Sequence, residues 1–306
     1  MAATSTDFIS EIWRKGIFEN KVVFCTGGSG DICSAQVMAI VHLGANACIV
    51  GRNKDKAERV ANEIATTRPG SRVLAVGNVD VRKIKDLEDA ATTCVRELGS
   101  IDFVIAGAAG NFLAPFLQLS TNAFRAVVEI DLMGAWNTAK LTVPYLLKSV
   151  SKNKGSSRLS GRIIFISSTN QYTGTQLVTH GAVAKSGIDT LSAQLAIELG
   201  PRGLTSNVIA PGPISGTEGT RRLVDTGKGD DRSKRIPLGR YGSLKDMGNA
   251  VIYLFSEAGD YVTGSVLVVD GAAWRTGGGA VGGGFEYPET VLSDKPFSAT
   301  VVQPKI

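Results

Sequence analysis

"KVVFCTGGSGDI", residues 21–32, is the stretch whose reading decides the fold. Its first half is an apolar, β-branched run, the mark of a buried strand, and it enters a turn rich in glycine. Behind that turn, "QVMAIVHLG" (36–44) carries its apolar residues at helical spacing and stops at a glycine. Strand, glycine turn and helix in that order open a βαβ unit. The same alternation runs outward through "NACIVGR" (46–52), the helical "KAERVANEIA", "RVLAVGNVDV" (72–81), "IDFVIAGAAG" (101–110), "GRIIFISS" (161–168), "TSNVIAPGP" (205–213) and "GSVLVVDGA" (264–272). Seven apolar strands separated by helices predict an α/β fold: a Rossmann-like, doubly wound parallel sheet built from right-handed βαβ units, with helices on both faces.

Composition fits that reading. With 306 residues, 43% of them hydrophobic, the chain can fill the core of one large domain. A net charge of +5, spread along the chain, favours phosphorylated small ligands over a nucleic-acid groove, and no basic stripe with interleaved aromatics occurs. Cys25, Cys33, Cys48 and Cys94 lack metal-ligand spacing and read as small buried hydrophobes; with two histidines in the chain, no metal site is expected. Neither a membrane span nor a signal peptide is evident, so a soluble intracellular protein is expected. Residues 1–18 read as an extension, a helix packed on the core. Residues 19–274 form the cofactor domain, and 275–306 a glycine-rich flexible tail.

In a doubly wound sheet, phosphate binds at a helix N-terminus beside the strand ends. The turn Thr26-Gly27-Gly28 and the following Gly30-Asp31-Ile32 are the expected phosphate loop, although Asp31 and Cys33 stand where glycines are usual. The second strand ends at Arg52, where NAD-specific proteins place an acid for the ribose. An arginine there can pair with a 2′-phosphate, which makes the cofactor NADPH. Asp80, in "NVDV" (78–81), either accepts from the adenine or caps a strand end.

"TGG", "VDV", "AAGNF", "ISS", Lys185 and "APGPISGTEG" together resemble the short-chain dehydrogenase/reductase superfamily across residues 20–274. "GAAGNFLAP" (107–115) and "PGPISGTEG" (211–219) are similar to the 2,4-dienoyl-CoA reductases of the peroxisomal type, whose fungal branch also has a loop like "TGGxGxIC". The resemblance implies NADPH-dependent reduction of a 2,4-dienoyl-CoA to a 3-enoyl-CoA in unsaturated fatty acid degradation. It implies further cofactor contacts at Val81, Ala108, Lys185, Pro211, Gly212 and Ile214, an acyl pocket lined by Asn111 and Phe112, and CoA phosphates met by Arg82 and Arg222. A homo-oligomer, dimer or tetramer, is implied as well. The alternatives are a related enoyl or carbonyl reductase of specialised metabolism and an NADPH-binding pseudoenzyme.

One position departs from the superfamily pattern. A tyrosine is expected four residues before Lys185, and Gly181 stands there. Hydride delivery to a conjugated dienoyl thioester creates a dienolate, whose oxygen must be stabilised and whose carbon must be protonated. A polarised water can serve instead of a tyrosine. Lys185 is its first holder, and Asp131, in an apolar helix and costly to bury alone, is the natural partner. Ser168, or Ser167 beside it, matches the active-site serine; His180 and Tyr172 read as structural. The ending Pro304-Lys305-Ile306 resembles a peroxisomal import signal read by a receptor, which places the protein in the peroxisome, with the cytoplasm as the alternative.

Overall fold

The computed structural model describes residues 13–152, 161–223, 233, 236–276 and 292–293. Each apolar run of the sequence forms a strand: β1 (Val22–Thr26), β2 (Asn46–Val50), β3 (Val73–Val76), β4 (Phe103–Ala106), β5 (Arg162–Ile166), β6 (Thr205–Pro211) and β7 (Val266–Val269). They form one parallel sheet of seven strands in the order β3-β2-β1-β4-β5-β6-β7. The order reverses between β1 and β4, where a doubly wound sheet opens a crevice at its strand ends. Thr26 lies level with Val50 on one side and Ala106 on the other, so three turns meet at that crevice.

The helices are α1 (Asp31–His42), α2 (Lys54–Ala65), α3 (Ile84–Leu98), α4 (Thr121–Val128), α5 (Gly134–Lys152), α6 (Asn170–Thr173), α7 (Thr179–Leu199), α8 (Glu218–Leu223) and α9 (Leu244–Phe255). Alternate strand residues face opposite layers. In β4, Phe103 and Ile105 join the layer of α1, α2 and α9, while Val104 and Ala106 join that of α3, α5 and α7. Strands buried on both faces explain why the sequence shows continuous apolar runs rather than alternation.

Two expectations meet the structure only in part. Residues 15–20 form turns, while residues 1–12 of the extension expected to be helical lie outside the described residues. Phe18, assigned to that extension, is fully buried, with its ring edge-on to Phe103 at 5.5 Å. The third strand is shorter than "RVLAVGNVDV", because Asn78 turns the chain with φ +58° and the Asp80 carboxylate accepts from the Arg82 N–H. The tail after residue 276, apart from 292–293, lies outside the described residues.

Candidate active site

At the end of β1 the chain turns at Gly27, whose φ of +68° is favourable only for glycine. A Cβ there would stand 2.7 Å from the Gly107 carbonyl oxygen and 2.8 Å from Ala108. The turn is therefore a cradle that no side chain can enter. Behind it, α1 starts at Asp31 with no side-chain cap, which leaves its first-turn N–H groups pointing at the crevice. That geometry fits a dinucleotide phosphate.

The neighbouring candidates divide. Arg52 is exposed on the turn after β2, and Ala108 is half-buried against Gly27. Thr26 is 1% exposed and faces Thr138 of α5, not the turn. Val81 is buried, with its carbonyl accepting from Asn137 Nδ2 at 2.9 Å. Pro211 and Ile214 are buried at the end of β6, and Gly212 packs on Asp270. Asp31 accepts from the Glu218 N–H at 2.7 Å, so its carboxylate ties the start of α1 to the start of α8. Arg82, expected to meet CoA, and Asp80, expected to meet adenine or cap a strand end, are paired with each other through Nη2···Oδ2 at 2.6 Å and Nε contacts at 3.0 Å. The arginine's hydrogen bonds hold the Asp80 carboxyl below the usual carboxylate range. Arg222 belongs to α8, but its side chain is outside the described residues.

The reactive end lies on the other flank of the crevice. Lys185, on α7, reaches the Asp131 carboxylate at 3.1 Å and donates to the Ile166 carbonyl at 3.0 Å. Asp131 is 1% exposed, and its other oxygen accepts from the Gly110 N–H at 2.7 Å. Such a carboxylate is tolerable in the interior because both oxygens are satisfied. It sits in a π-helical turn, Glu129–Met133, wedged between α4 and α5. An extra residue in a helix re-aims a side chain, and such turns concentrate at functional sites.

Gly181 faces the amide of Asn111. A Cβ at 181 would lie 3.0 Å from Asn111 Nδ2, so the root of the missing tyrosine side chain is Asn111's space. His180 stacks on Phe112, with ring centroids 4.3 Å apart at 26°. Burial pushes its pKa down, against the opposing pull of the Phe112 main chain and of Asp131.

Both serines are present, and Gln171 joins them. Its Nε2 donates to Ser167 Oγ at 3.0 Å and to Asp189 at 2.9 Å, while its Oε1 accepts from Ser168 Oγ at 3.2 Å. Ser167 is buried, and Ser168 keeps the open face. Tyr172 donates to Asp189, and burial followed by that carboxylate raises the phenol pKa well above its ordinary value. It is a poor proton donor. The structure thus brings Lys185, Asp131, Asn111, Phe112 and His180 together, with Ser168 linked through Gln171. Sequence reasoning missed Gln171 and Asp189; the signal open to it was their i+4 spacing from Ser167 and Lys185.

Comparison with known proteins agrees with this geometry. A family model described as enoyl-(acyl carrier protein) reductase matches residues 29–272. The peroxisomal 2,4-dienoyl-CoA reductase SPS19 of Saccharomyces cerevisiae is 46% identical over 287 residues, covering 93% of this chain and 94% of that one. The peroxisomal 2,4-dienoyl-CoA reductase of Danio rerio is 38% identical, covering 87% and 86%. Among solved structures, a short-chain type dehydrogenase/reductase from Mycobacterium ulcerans superposes with a TM-score of 0.75 at 26% identity, covering 84% of this chain and 91% of that one. The citronellol catabolism dehydrogenase of Pseudomonas aeruginosa gives 0.71 at 26% identity, covering 88% and 99%. The chain belongs to the short-chain dehydrogenase/reductase family, where it groups with the peroxisomal 2,4-dienoyl-CoA reductases.

Proposed function

We propose that the protein reduces 2,4-dienoyl-CoA thioesters to 3-enoyl-CoA with NADPH, using a water held by Lys185 and Asp131 in place of the family's tyrosine. The observation that carries the proposal is the buried Lys185–Asp131 pair in a site whose tyrosine position is Gly181. The bound nicotinamide supplies hydride to the far end of the diene. Electrons then shift to the thioester oxygen, and one proton must reach the α-carbon. Lys185 Nζ, already fixed by the Ile166 carbonyl, polarises the water, and Asp131 orients it. Asn111, with its amide over Gly181, and Ser168 flank the acyl group. Gln171 acts through the serine as a positioning residue. Gly27, Gly28, Gly30, Asp31 and Ile32 form the dinucleotide's phosphate loop, with Thr26 buried behind it.

NADPH is favoured over NADH by the turn after β2. Residues 51–53 are Gly-Arg-Asn, with no acid for a ribose hydroxyl and with Arg52 exposed. The Asp80–Arg82 pair stands beside it, close enough for Arg52 to help lower the Asp80 pKa. Arg82 keeps 35% of its side chain exposed and meets CoA phosphate from within that pair. A homo-oligomer is supported by Met133 and Trp136, which expose 45% and 44% of their surface on one helical stretch. Peroxisomal residence rests on the relatives, and contact with an import receptor rests on Pro304-Lys305-Ile306, outside the described residues. Among the described residues no helix is long and apolar enough to cross a membrane.

The test follows NADPH absorbance with purified protein and a 2,4-dienoyl-CoA, with NADH in parallel. NADPH consumption is expected, with weaker use of NADH. Arg52→Asp should lose roughly 1–3 kcal/mol of NADPH binding and little NADH binding. No turnover of any dienoyl-CoA would leave a cofactor-binding pseudoenzyme, and equal cofactor affinities would remove Arg52 from the account.

A further inference from the structure

His180 begins α7 one residue before Gly181, and its imidazole is fully buried with no hydrogen bond of ordinary geometry at either ring nitrogen. The Phe112 main chain touches the ring without good hydrogen-bond geometry. Burying an imidazole so poorly satisfied is costly, and a fold that keeps one beside its catalytic pair needs a reason for it. The Phe112 ring covers it at 4.3 Å. Phe112 belongs to residues 107–115, which form neither helix nor strand. Two backbone hydrogen bonds anchor this stretch on either side of Phe112: Gly110 N–H to Asp131, and Ala114 N–H to the Leu177 carbonyl. The Phe112 N–H is satisfied inside the loop by its neighbour, Asn111 Oδ1, at 2.9 Å. Apart from the poorly aligned contact of the Phe112 main chain with the His180 ring, no other hydrogen bond among the described residues ties 111–113 to the rest of the fold, so the ring can swing aside while both anchors hold.

We propose that His180 is a hydrogen-bond donor to the thioester oxygen of the acyl-CoA, uncovered when the entering acyl group displaces the Phe112 ring. The inference rests on the dienoyl-CoA reading and adds a catalytic residue to it. A neutral imidazole offers one N–H and one acceptor. An N–H preorganised where negative charge builds stabilises the dienolate without bringing a second cation beside Lys185. Burial, which keeps the ring neutral in the closed state, agrees with this role. The stacked ring explains how so polar a group stays dry until substrate arrives.

The test uses His180→Phe, which keeps a stacking ring and removes the donor, and His180→Gln, which restores a donor. His180→Phe is expected to keep NADPH affinity within about twofold and to melt no lower than wild type, since two orphaned nitrogens are gone, while kcat falls by about 100-fold, as for loss of one oxyanion donor. His180→Gln should recover much of that loss. With two histidines in the chain, His42 and His180, imidazole NMR resolves each. Hexanoyl-CoA, which carries the thioester oxygen but no diene, should shift the His180 signals and leave those of His42. Wild-type kcat in His180→Phe, or bound hexanoyl-CoA with unmoved His180 signals, overturns the assignment and leaves the proposed activity standing. A wild-type protein inert toward every dienoyl-CoA overturns the activity instead, and the hexanoyl-CoA spectra still decide whether His180 meets a thioester.

Discussion

Lys185 and Asp131 meet at 3.1 Å with 12% and 2% of their side chains exposed, and neither charge has much water to fall back on. Removing one partner strands the other, which typically costs about 3–5 kcal/mol, whereas removing both can be nearly neutral. Lys185→Ala and Asp131→Ala should each lower turnover by about two orders of magnitude, with the double variant little worse than either single, because residues that act as a unit are not additive. The double variant should also melt above the less stable single. Steady-state rates and melting curves check both, and losses that simply multiply would argue against a shared relay. These two residues were legible in the sequence because an aspartate in an apolar helix demands a cation and a helical lysine near a missing tyrosine supplies one. The Asp80–Arg82 pairing was not legible. Arg82 was read as facing a ligand and Asp80 as facing adenine or capping a strand end; two residues apart after a strand they satisfy each other first, with Asp80 capping the Arg82 N–H. Gln171 was missed for a different reason: an amide has no titration or motif to betray it, and its i+4 spacing from Ser167 was the one trace, while its contact with Asp189 is set by the fold.

Helix α9 shows how an element behind the site supports it. Ser243 and Asp246 form a reciprocal capping box, and Arg240 adds hydrogen bonds at 2.8 and 3.2 Å to the same carboxylate. The Arg240 hydrogen bond, first among several contacts, lowers the Asp246 pKa to about 2. A carboxyl with a depressed folded pKa binds more protons when unfolded, so its contribution is complete above the ordinary carboxylate value and fades as pH falls from about 4 toward 2. Asp246→Ala should cost about 1 kcal/mol at neutral pH by urea unfolding, the usual value of a lost cap, and the gap from wild type should narrow across that acid window. A gap independent of pH would exclude the carboxylate as its source. Since α9 packs on α1, loosening α9 weakens the support of the helix behind the Gly27 cradle. Strand positions were readable from apolar runs, but the π turn was not. Residues 121–143 carry a helical pattern with no proline, and one surplus residue within it leaves no compositional trace.

At the scale of the whole molecule, residence and topology are separate questions. A fluorescent protein fused ahead of the full chain should give puncta that overlap a peroxisomal marker, and deletion of Pro304-Lys305-Ile306 should disperse them. Diffuse signal from the intact fusion would remove the peroxisomal placement without touching the chemistry. The fold itself was legible almost entirely, because seven apolar runs separated by helical stretches leave few ways to build a sheet. The N-terminal segment was not, since its docking depends on Phe18 finding Phe103 across the chain. The strand order carries one more implication. The chain lays β1, β2 and β3 outward on one flank, crosses its own midline once through α3, and then builds β4 to β7 outward on the other. The described residues numbered below 99 therefore serve as a mount, while the segments at 107–118 and 211–223 hang from the opposite flank. Descendants of such a chain can lengthen, shorten or exchange the outer parts of those loops for a new acyl shape, provided Gly107, Ala108 and the Asp31–Glu218 tie keep their places against Gly27 and the helix behind it.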